Sequence, residues 1–113
     1  MKYVYLLITL LAFSLSGLSQ IYVGDVNINK KQDLEYIEII GLTKNFNIKV
    51  RVDYGQSHPK TEEIRDKSGT IARSNNIISI LNLMYKNGWV FVNSYGYGTN
   101  SENIVRYLLK KEK

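Results

Sequence analysis

The chain has 113 residues, a formal net charge of +5 at pH 7 and no cysteine. This length supports one compact domain rather than two, and the lack of cysteine excludes disulfides, thiol catalysis and cysteine metal sites. The positive surplus comes largely from the tail 110–113 and the pair Lys30-Lys31, without a long basic stripe, so no nucleic acid partner is expected.

The first nineteen residues have the pattern of a cleavable secretory signal. Lys2 supplies a positive start, residues 4–15 are almost wholly apolar, and Gly17 and Ser19 provide the small side chains that signal peptidase requires. We expect cleavage between Ser19 and Gln20 and a periplasmic or extracellular location. The apolar run is about a dozen residues, against about 20 for a bilayer-spanning helix. No permanent membrane anchor is therefore expected after cleavage, and without a cysteine no lipid anchor at this processing site.

After the signal, residues 20–32 are polar and mixed, and we expect them to lead loosely into a single domain over residues 33–113. Within that domain, the segment 55–73 is interrupted by Pro59 and gives the weakest pattern. The sequence Asp66-Lys67-Ser68-Gly69 has the chemistry of a type I turn, which suggests a small hairpin.

Two strands are predicted before that segment. Leu34–Gly41 is rich in strand-forming residues. Ile48–Tyr54 alternates at period two, which places Lys49 and Arg51 on a solvated face and the apolar side chains on the opposite face. A turn over residues 43–47 joins the two strands.

A helix is predicted over Asn76–Asn87. Ser74 or Asn75 is available as its N-cap, and Gly88 suits the left-handed residue that ends a helix. Its polar arc contains only Asn75, Ser79, Asn82 and Lys86, so apolar residues cover more than half of the circumference. If the segment 55–73 does not cover Ile80 and Leu83, these two side chains form a possible interface with a partner protein or a second copy.

Two further strands follow the helix. Trp89–Tyr95 and Asn103–Lys110 are rich in bulky apolar residues, and the glycine-containing segment 96–101 between them predicts a hairpin tip. Trp89 is expected to pack in the core beneath the helix. The predicted fold class is α+β: an antiparallel sheet of about four strands, in the order ββαββ, with one main helix packed on one face.

Several short motifs resemble a known group of proteins. These are Val52-Asp53-Tyr54-Gly55, Leu81-Asn82-Leu83-Met84, the run from Lys86 to Val92, and Tyr107-Leu108-Leu109-Lys110. With these motifs the chain resembles a family of small exported bacterial proteins of unknown function, and its helix-Gly-Trp-strand junction is similar to a second small bacterial domain family without assigned function. The resemblance implies the fold. It implies no activity for this chain, because neither family has an assigned function.

The hairpin tip carries the candidate ligand-binding residues. Tyr95, Tyr97 and Asn100 combine aromatic rings with a polar amide beside flexible glycines, a combination that suits stacking on a sugar ring or a peptide. The alternative is an edge hairpin whose tyrosines shield the neighbouring strands.

No catalytic, metal-binding or cofactor-binding residue is predicted. His58 is the only histidine and precedes Pro59 in a polar loop, without a nucleophile pattern around it. The acidic group Glu62, Glu63 and Asp66 is interleaved with basic residues and lacks the ligand spacing of a calcium loop. We expect a solvated charged loop there.

These observations favour a non-enzymatic binding or assembly module of the cell envelope, whose partner is an unknown envelope protein or a second copy of the chain. The alternative function is a small-ligand or glycan-binding domain that uses Tyr95 and Tyr97 together with the sheet face bearing Lys49 and Arg51. A small hydrolase is a third reading, without recognisable catalytic groups in the sequence.

Overall fold

The structure is a computed structural model that describes residues 20–72 and 76–112. The predicted signal peptide and the predicted N-cap residues Ser74 and Asn75 lie outside the described residues. The described residues form two four-stranded antiparallel sheets and one α-helix, which places the domain in the α+β class.

The two sheets are built from different parts of the chain. Sheet A contains β1 (Ile21–Val23), β2 (Val26–Asn27), β5 (Ile64–Asp66) and β6 (Ile71–Ala72), in the spatial order β2-β1-β5-β6. Sheet B contains β3 (Tyr36–Lys44), β4 (Asn47–Asp53), β7 (Trp89–Gly98) and β8 (Asn103–Lys111), in the order β4-β3-β8-β7. A 3-10 helix (Ile28–Lys30) follows β2, and helix α1 (Ile77–Lys86) lies between β6 and β7.

Sheet A is an addition to the predicted ββαββ order. Residues 20–32 do not lead loosely into the fold, because β1 pairs with both β2 and β5. Ile21, Val23 and Ile28 are almost completely buried. The tight turn between β1 and β2 contains Gly24, whose φ of +60° suits glycine. The N-terminal segment is therefore part of the domain.

Sheet B follows the predicted strands more closely. Its two hairpins lie side by side through the pairing of β3 with β8. The predicted turn between β3 and β4 contains two residues, Asn45 and Phe46, with φ angles of 51° and 67°. Two successive positive φ angles in a two-residue hairpin loop are typical of a type I′ turn, whose twist matches that of the flanking strands.

Helix α1 begins and ends close to the predicted positions. Asn76 is its N-cap, and the side-chain oxygen of Asn76 accepts a 3.1 Å hydrogen bond from the amide of Ser79. Gly88 follows the helix with a φ of +90°, as predicted.

The core contains residues from both sheets and from the helix. Its members are Ile21, Val23, Ile28, Ile37, Ile39, Val50, Val52, Ile64, Ala72, Ile80, Leu83, Met84, Trp89 and Leu109. Trp89 is 1% exposed, which agrees with its predicted core position.

The core also buries Ile80 and Leu83, the two helix residues of the possible partner interface. Ile80 is 0% exposed and Leu83 is 6% exposed. Both lie in a cluster with Ile64 and Ala72 from the segment 55–73, so the condition for that interface, an uncovered flank at Ile80 and Leu83, is not met. The exposed apolar residues of this helix are instead Ile78 and Tyr85.

Within residues 20–72 and 76–112, no helix is both long and apolar enough to cross a membrane.

Candidate functional site

Sheet B has an inner face, which packs in the core, and an outer face on the opposite side. Ile37, Ile39, Val50, Val52 and Leu109 belong to the core, and the side chains that alternate with them lie on the outer face. The strand register defines two neighbouring rows across this outer face: Arg51, Ile40, Arg106 and Tyr95 in one, and Lys49, Leu42, Ile104 and Tyr97 in the other.

Tyr95 and Tyr97 lie on β7, at one edge of the outer face. Their side chains are partly open to solvent, with residue exposures of 53% and 43%. The ring centroids are 6.3 Å apart and the ring planes differ by only 19°. The two tyrosines therefore form a nearly parallel aromatic pair with accessible apolar surface.

A hydrogen-bond network holds both phenol groups. Nε of Arg106 donates to the hydroxyl oxygen of Tyr97 at 3.2 Å, and Nη1 of Arg106 donates to Oε1 of Glu38 at 2.9 Å. The hydroxyl of Tyr95 donates to Oε2 of Glu38 at 3.4 Å. The four side chains are therefore connected across β3, β8 and β7, and this restricts the rotamers of both tyrosines.

The same contacts set the charge of the network. The hydrogen bonds to Tyr97 and to Glu38 raise the pKa of Arg106 above its already high usual value. Desolvation, followed by the charge of Glu38, raises the pKa of Tyr95 above its usual value. At neutral pH the network therefore contains a guanidinium ion and a neutral Tyr95 phenol beside each other.

The middle of the outer face is apolar. Ile40 and Leu42 are 6% and 9% exposed although they lie on the side of sheet B opposite to the core. Long side chains of the neighbouring strands flank them in each row, including Arg51 and Arg106. The outer face thus has an apolar floor between an aromatic edge on β7 and a basic edge on β4.

A cavity of about 310 Å³ lies at the basic edge, beside the turn between β3 and β4. It is lined by Leu42, Lys44, Asn45, Asn47, Lys49, Arg51 and Glu102. Three of these side chains are cationic and one is anionic. Nε of Arg51 is buried and has no hydrogen-bond partner among the described residues. This cavity can accept an anionic group.

Asn100 lies in the turn that joins β7 to β8. Thr99 closes that turn, because its amide and its hydroxyl both donate to the carbonyl oxygen of Glu102, at 2.8 Å and 3.1 Å. The last strand pair before the turn is Gly98 with Asn103. The structure therefore brings Tyr95 and Tyr97 together and places Asn100 beyond the end of the paired strands.

The histidine and the acidic group of the segment 55–73 lie outside the strands that form the outer face. His58 is exposed in the loop after β4. Nε of Arg65 lies 3.6 Å from Oε1 of Glu63. In the predicted turn, Oδ1 of Asp66 accepts hydrogen bonds from the hydroxyl of Ser68 and the amide of Thr70. Within the described part of the chain, no group of three or more potential metal ligands is found.

Glu38 and Arg106 are residues of this site that the sequence did not single out. Period-two alternation indicates which residues of one strand share a face. It does not show which residues of the other strands lie opposite them, and Glu38 and Arg106 are sixty-eight residues apart in the chain. The only signal in the sequence is the presence of two charged residues inside otherwise apolar strands.

Comparison of the chain with models of protein families, with curated proteins and with solved structures finds no match.

Proposed function

We propose that the protein is an exported, non-enzymatic binding module of the cell envelope, and that the outer face of sheet B binds a saccharide. The observation that carries this proposal is the exposed, nearly parallel pair of Tyr95 and Tyr97. The pattern of residues 1–19 supports export, with the cut between Ser19 and Gln20.

A sugar ring suits this surface because the ring has an apolar face of C–H groups and a polar edge of hydroxyl groups. The half-exposed rings of Tyr95 and Tyr97 offer apolar area for the ring face. Arg106 and Glu38 lie beside the same rings and offer a charged donor and a charged acceptor for hydroxyl groups. Binding sites of this kind combine apolar contact area with a few placed polar groups.

The network also supports binding on energetic grounds. Fixing a side chain on ligand binding costs about 0.5–1.5 kcal/mol. Tyr97 is held by Arg106 and Tyr95 by Glu38 before any ligand is present. Because part of that cost is already met on folding, a ligand gains more affinity from the same contacts.

The test is a titration of the mature protein with a panel of neutral oligosaccharides by isothermal calorimetry. The double variant Tyr95→Ala, Tyr97→Ala should weaken binding by at least about tenfold, since apolar contact contributes about 25 cal/mol for each Å² that the ligand buries on the two rings. Tyr85→Ala is the matched control, because Tyr85 is 71% exposed on helix α1 and contributes nothing to the outer face.

Two results would count against the proposal. One is the absence of binding heat with every saccharide in the panel. The other is an equal loss of affinity in the Tyr85→Ala control, which would show that the tyrosine pair has no special part in binding. The second result would support the alternative in which Tyr95 and Tyr97 shield the neighbouring strands.

A second candidate function, assembly with another copy of the chain, is favoured by strand β7. This strand is an edge of sheet B and contains ten residues, none of them charged. Charged residues normally protect such an edge against pairing with another chain. Val90 and Val92 also line an open cavity of about 380 Å³ beside Lys110–Glu112. Two β7 strands would meet without like-charge repulsion between their side chains.

Sedimentation equilibrium of the mature protein tests this second candidate. Val92→Lys should shift a dimer toward the monomer, because it places two like charges at the contact. Ile78→Lys, a change of equal charge on the exposed side of helix α1, should leave the dimer intact. A strict monomer at high protein concentration would overturn the assembly proposal and leave saccharide binding untouched.

A further inference from the structure

We infer that the saccharide is acidic, and that its carboxylate or phosphate group binds in the cavity formed by Lys44, Lys49 and Arg51. This inference rests on the proposed saccharide-binding function. It adds a second contact region, on β4, to the aromatic pair on β7.

Strand register places the two regions on one continuous surface. Arg51 lies in the same row as Tyr95, and Lys49 lies in the same row as Tyr97. Between them are only the side chains of β3 and β8. Three strand spacings of about 4.8 Å separate β4 from β7, so the span is about 14 Å. A short oligosaccharide can therefore contact both edges of the outer face at once.

The charge of the cavity determines which chemical group it accepts. Lys44, Lys49 and Arg51 line it against one carboxylate, that of Glu102. The two lysines are exposed, whereas Arg51 is half-buried. A cavity that is lined by several cations attracts an anion more strongly than a single surface lysine does.

Arg51 provides the second, independent observation. Its Nε atom is buried and has no hydrogen-bond partner among the described residues. A buried guanidinium nitrogen without an acceptor is costly, because the protein removes it from water without replacing the lost hydrogen bonds. An anionic group of a ligand in the cavity would stabilise this partly desolvated guanidinium ion by charge attraction. Carboxylate and phosphate groups both match the planar fork of an arginine side chain.

The experiment compares acidic saccharides with neutral partners of the same skeleton. Two pairs serve as probes: a galacturonate trimer with its methyl ester, and an N-acetylglucosamine–N-acetylmuramic acid disaccharide with chitobiose. The mature protein should bind the acidic member of at least one pair about tenfold more tightly, measured by calorimetry. The variant Lys49→Gln, Arg51→Gln should lose this preference and bind the acidic and neutral members of the pair with similar affinity.

A matched control separates the cavity from general attraction between opposite charges. Lys30→Gln, Lys86→Gln removes two positive charges from exposed residues that do not line the cavity. This control should keep the preference for the acidic member. Melting curves of both double variants verify that each protein is folded.

The outcomes distinguish this inference from the function on which it rests. Equal affinity for the acidic and neutral members would overturn the acidic-ligand inference and leave saccharide binding intact. A preference that falls equally in the control would overturn the role of the cavity. The absence of binding to any saccharide would count against the proposed function itself.

Discussion

The indole nitrogen of Trp89 donates a 2.8 Å hydrogen bond to Oδ1 of Asn29, and this bond joins strand β7 to the 3-10 helix sixty residues earlier in the chain. Nδ2 of Asn29 donates to the carbonyl oxygen of Asn87 at 2.9 Å, and Nζ of Lys111 donates to the carbonyl oxygen of Asn29 at 2.8 Å. Asn29 thus connects the N-terminal segment to the end of helix α1 and to both strands of the β7–β8 hairpin.

Replacement of Asn29 by alanine should destabilise the domain. Trp89 is 1% exposed, so loss of the acceptor leaves its indole N–H buried and unpaired. Such a group costs about 1–3 kcal/mol. Urea denaturation followed by fluorescence measures the change in the free energy of unfolding, because Trp89 is the only tryptophan in the chain.

Asn82→Ala provides the matched control for that experiment. Asn82 is exposed in the interior of helix α1, so its replacement leaves no buried group unpaired and should raise the free energy of unfolding by at most about 0.7 kcal/mol, because alanine is the better helix former. An Asn29→Ala variant as stable as the control would show that the Trp89 hydrogen bond contributes nothing to stability.

Much of sheet B and its helix could be predicted from the sequence, whereas in sheet A only the small hairpin around the Asp66–Gly69 turn could. The alternation in Ile48–Tyr54 and the end of the helix at Gly88 are local signals, which the folded chain retains. Sheet A has strands of only two or three residues, too short to show a period. Its central pairing joins Ile21 to Asp66, and this contact depends on tertiary structure.

Local sequence patterns likewise indicate some residues of the candidate site and leave others unidentified. Tyr95 and Tyr97 could be selected from their residue type and their place near a hairpin tip. Their partners Arg106 and Glu38 follow from the pairing of β3 with β8 and of β8 with β7, which no pattern within one strand reveals. The wide apolar arc of the helix predicts an uncovered flank at Ile80, but Ile64 and Ala72 of sheet A cover it, and a helical pattern carries no information on such distant segments.

Phe46→Gly should stabilise the protein. Phe46 has a φ of 67° and its side chain is fully exposed, so it carries the cost of the left-handed conformation without packing in return. Glycine adopts this conformation without the clash of Cβ, and Asn-Gly is a favoured type I′ turn. The expected gain is about 1 kcal/mol in the free energy of unfolding, measured by urea denaturation.

Phe46→Ala separates relief of backbone strain from removal of the aromatic ring. Alanine keeps Cβ, so this variant should remain close to the original protein in stability. If both variants were equally stabilised, the aromatic side chain and not the backbone conformation would be the source of the effect.

Asp66 should contribute to the loss of stability at acidic pH. Desolvation raises the pKa of Asp66, but hydrogen bonds from the side chain of Ser68 and from the amides of Thr70, Ser68 and Gly69 outweigh it and lower the pKa below its usual value. Asp66 therefore binds a proton at a higher pH in the unfolded chain than in the folded protein. The stability that its ionised carboxylate adds is fully present above about pH 4 and is lost as the pH falls through the pKa of Asp66 in the folded protein.

The measurement is the free energy of unfolding of Asp66→Asn between about pH 5 and pH 2, compared with the original protein. The variant should show a shallower decline, because it has no carboxylate to protonate at this turn. Asp25→Asn, at an exposed position in the turn after β1, corrects for the general effect of removing one negative charge. Identical slopes for both variants would contradict the role of the Asp66 turn.

Mass spectrometry of the exported protein tests the predicted cleavage. The mature chain should begin at Gln20, whose backbone nitrogen donates to Oδ1 of Asn87 at 3.3 Å in the folded domain. Ser19→Leu should block processing, because signal peptidase requires a small residue directly before the cut. Leu18→Val should be processed normally. A mature N-terminus at any other residue would disprove the predicted position.

Arg106→Lys should weaken saccharide binding while the domain stays folded. The guanidinium group of Arg106 uses Nε for Tyr97 and Nη1 for Glu38, two directions that a single ammonium group cannot reproduce. The tyrosine rings then lose part of their fixed geometry, and affinity should fall by about threefold to tenfold in calorimetric titrations. Arg65→Lys is the matched control, because Arg65 lies in sheet A, over the ring of Tyr22, away from the outer face. Unchanged affinity in Arg106→Lys would show that the network does not prepare the tyrosine pair for its ligand.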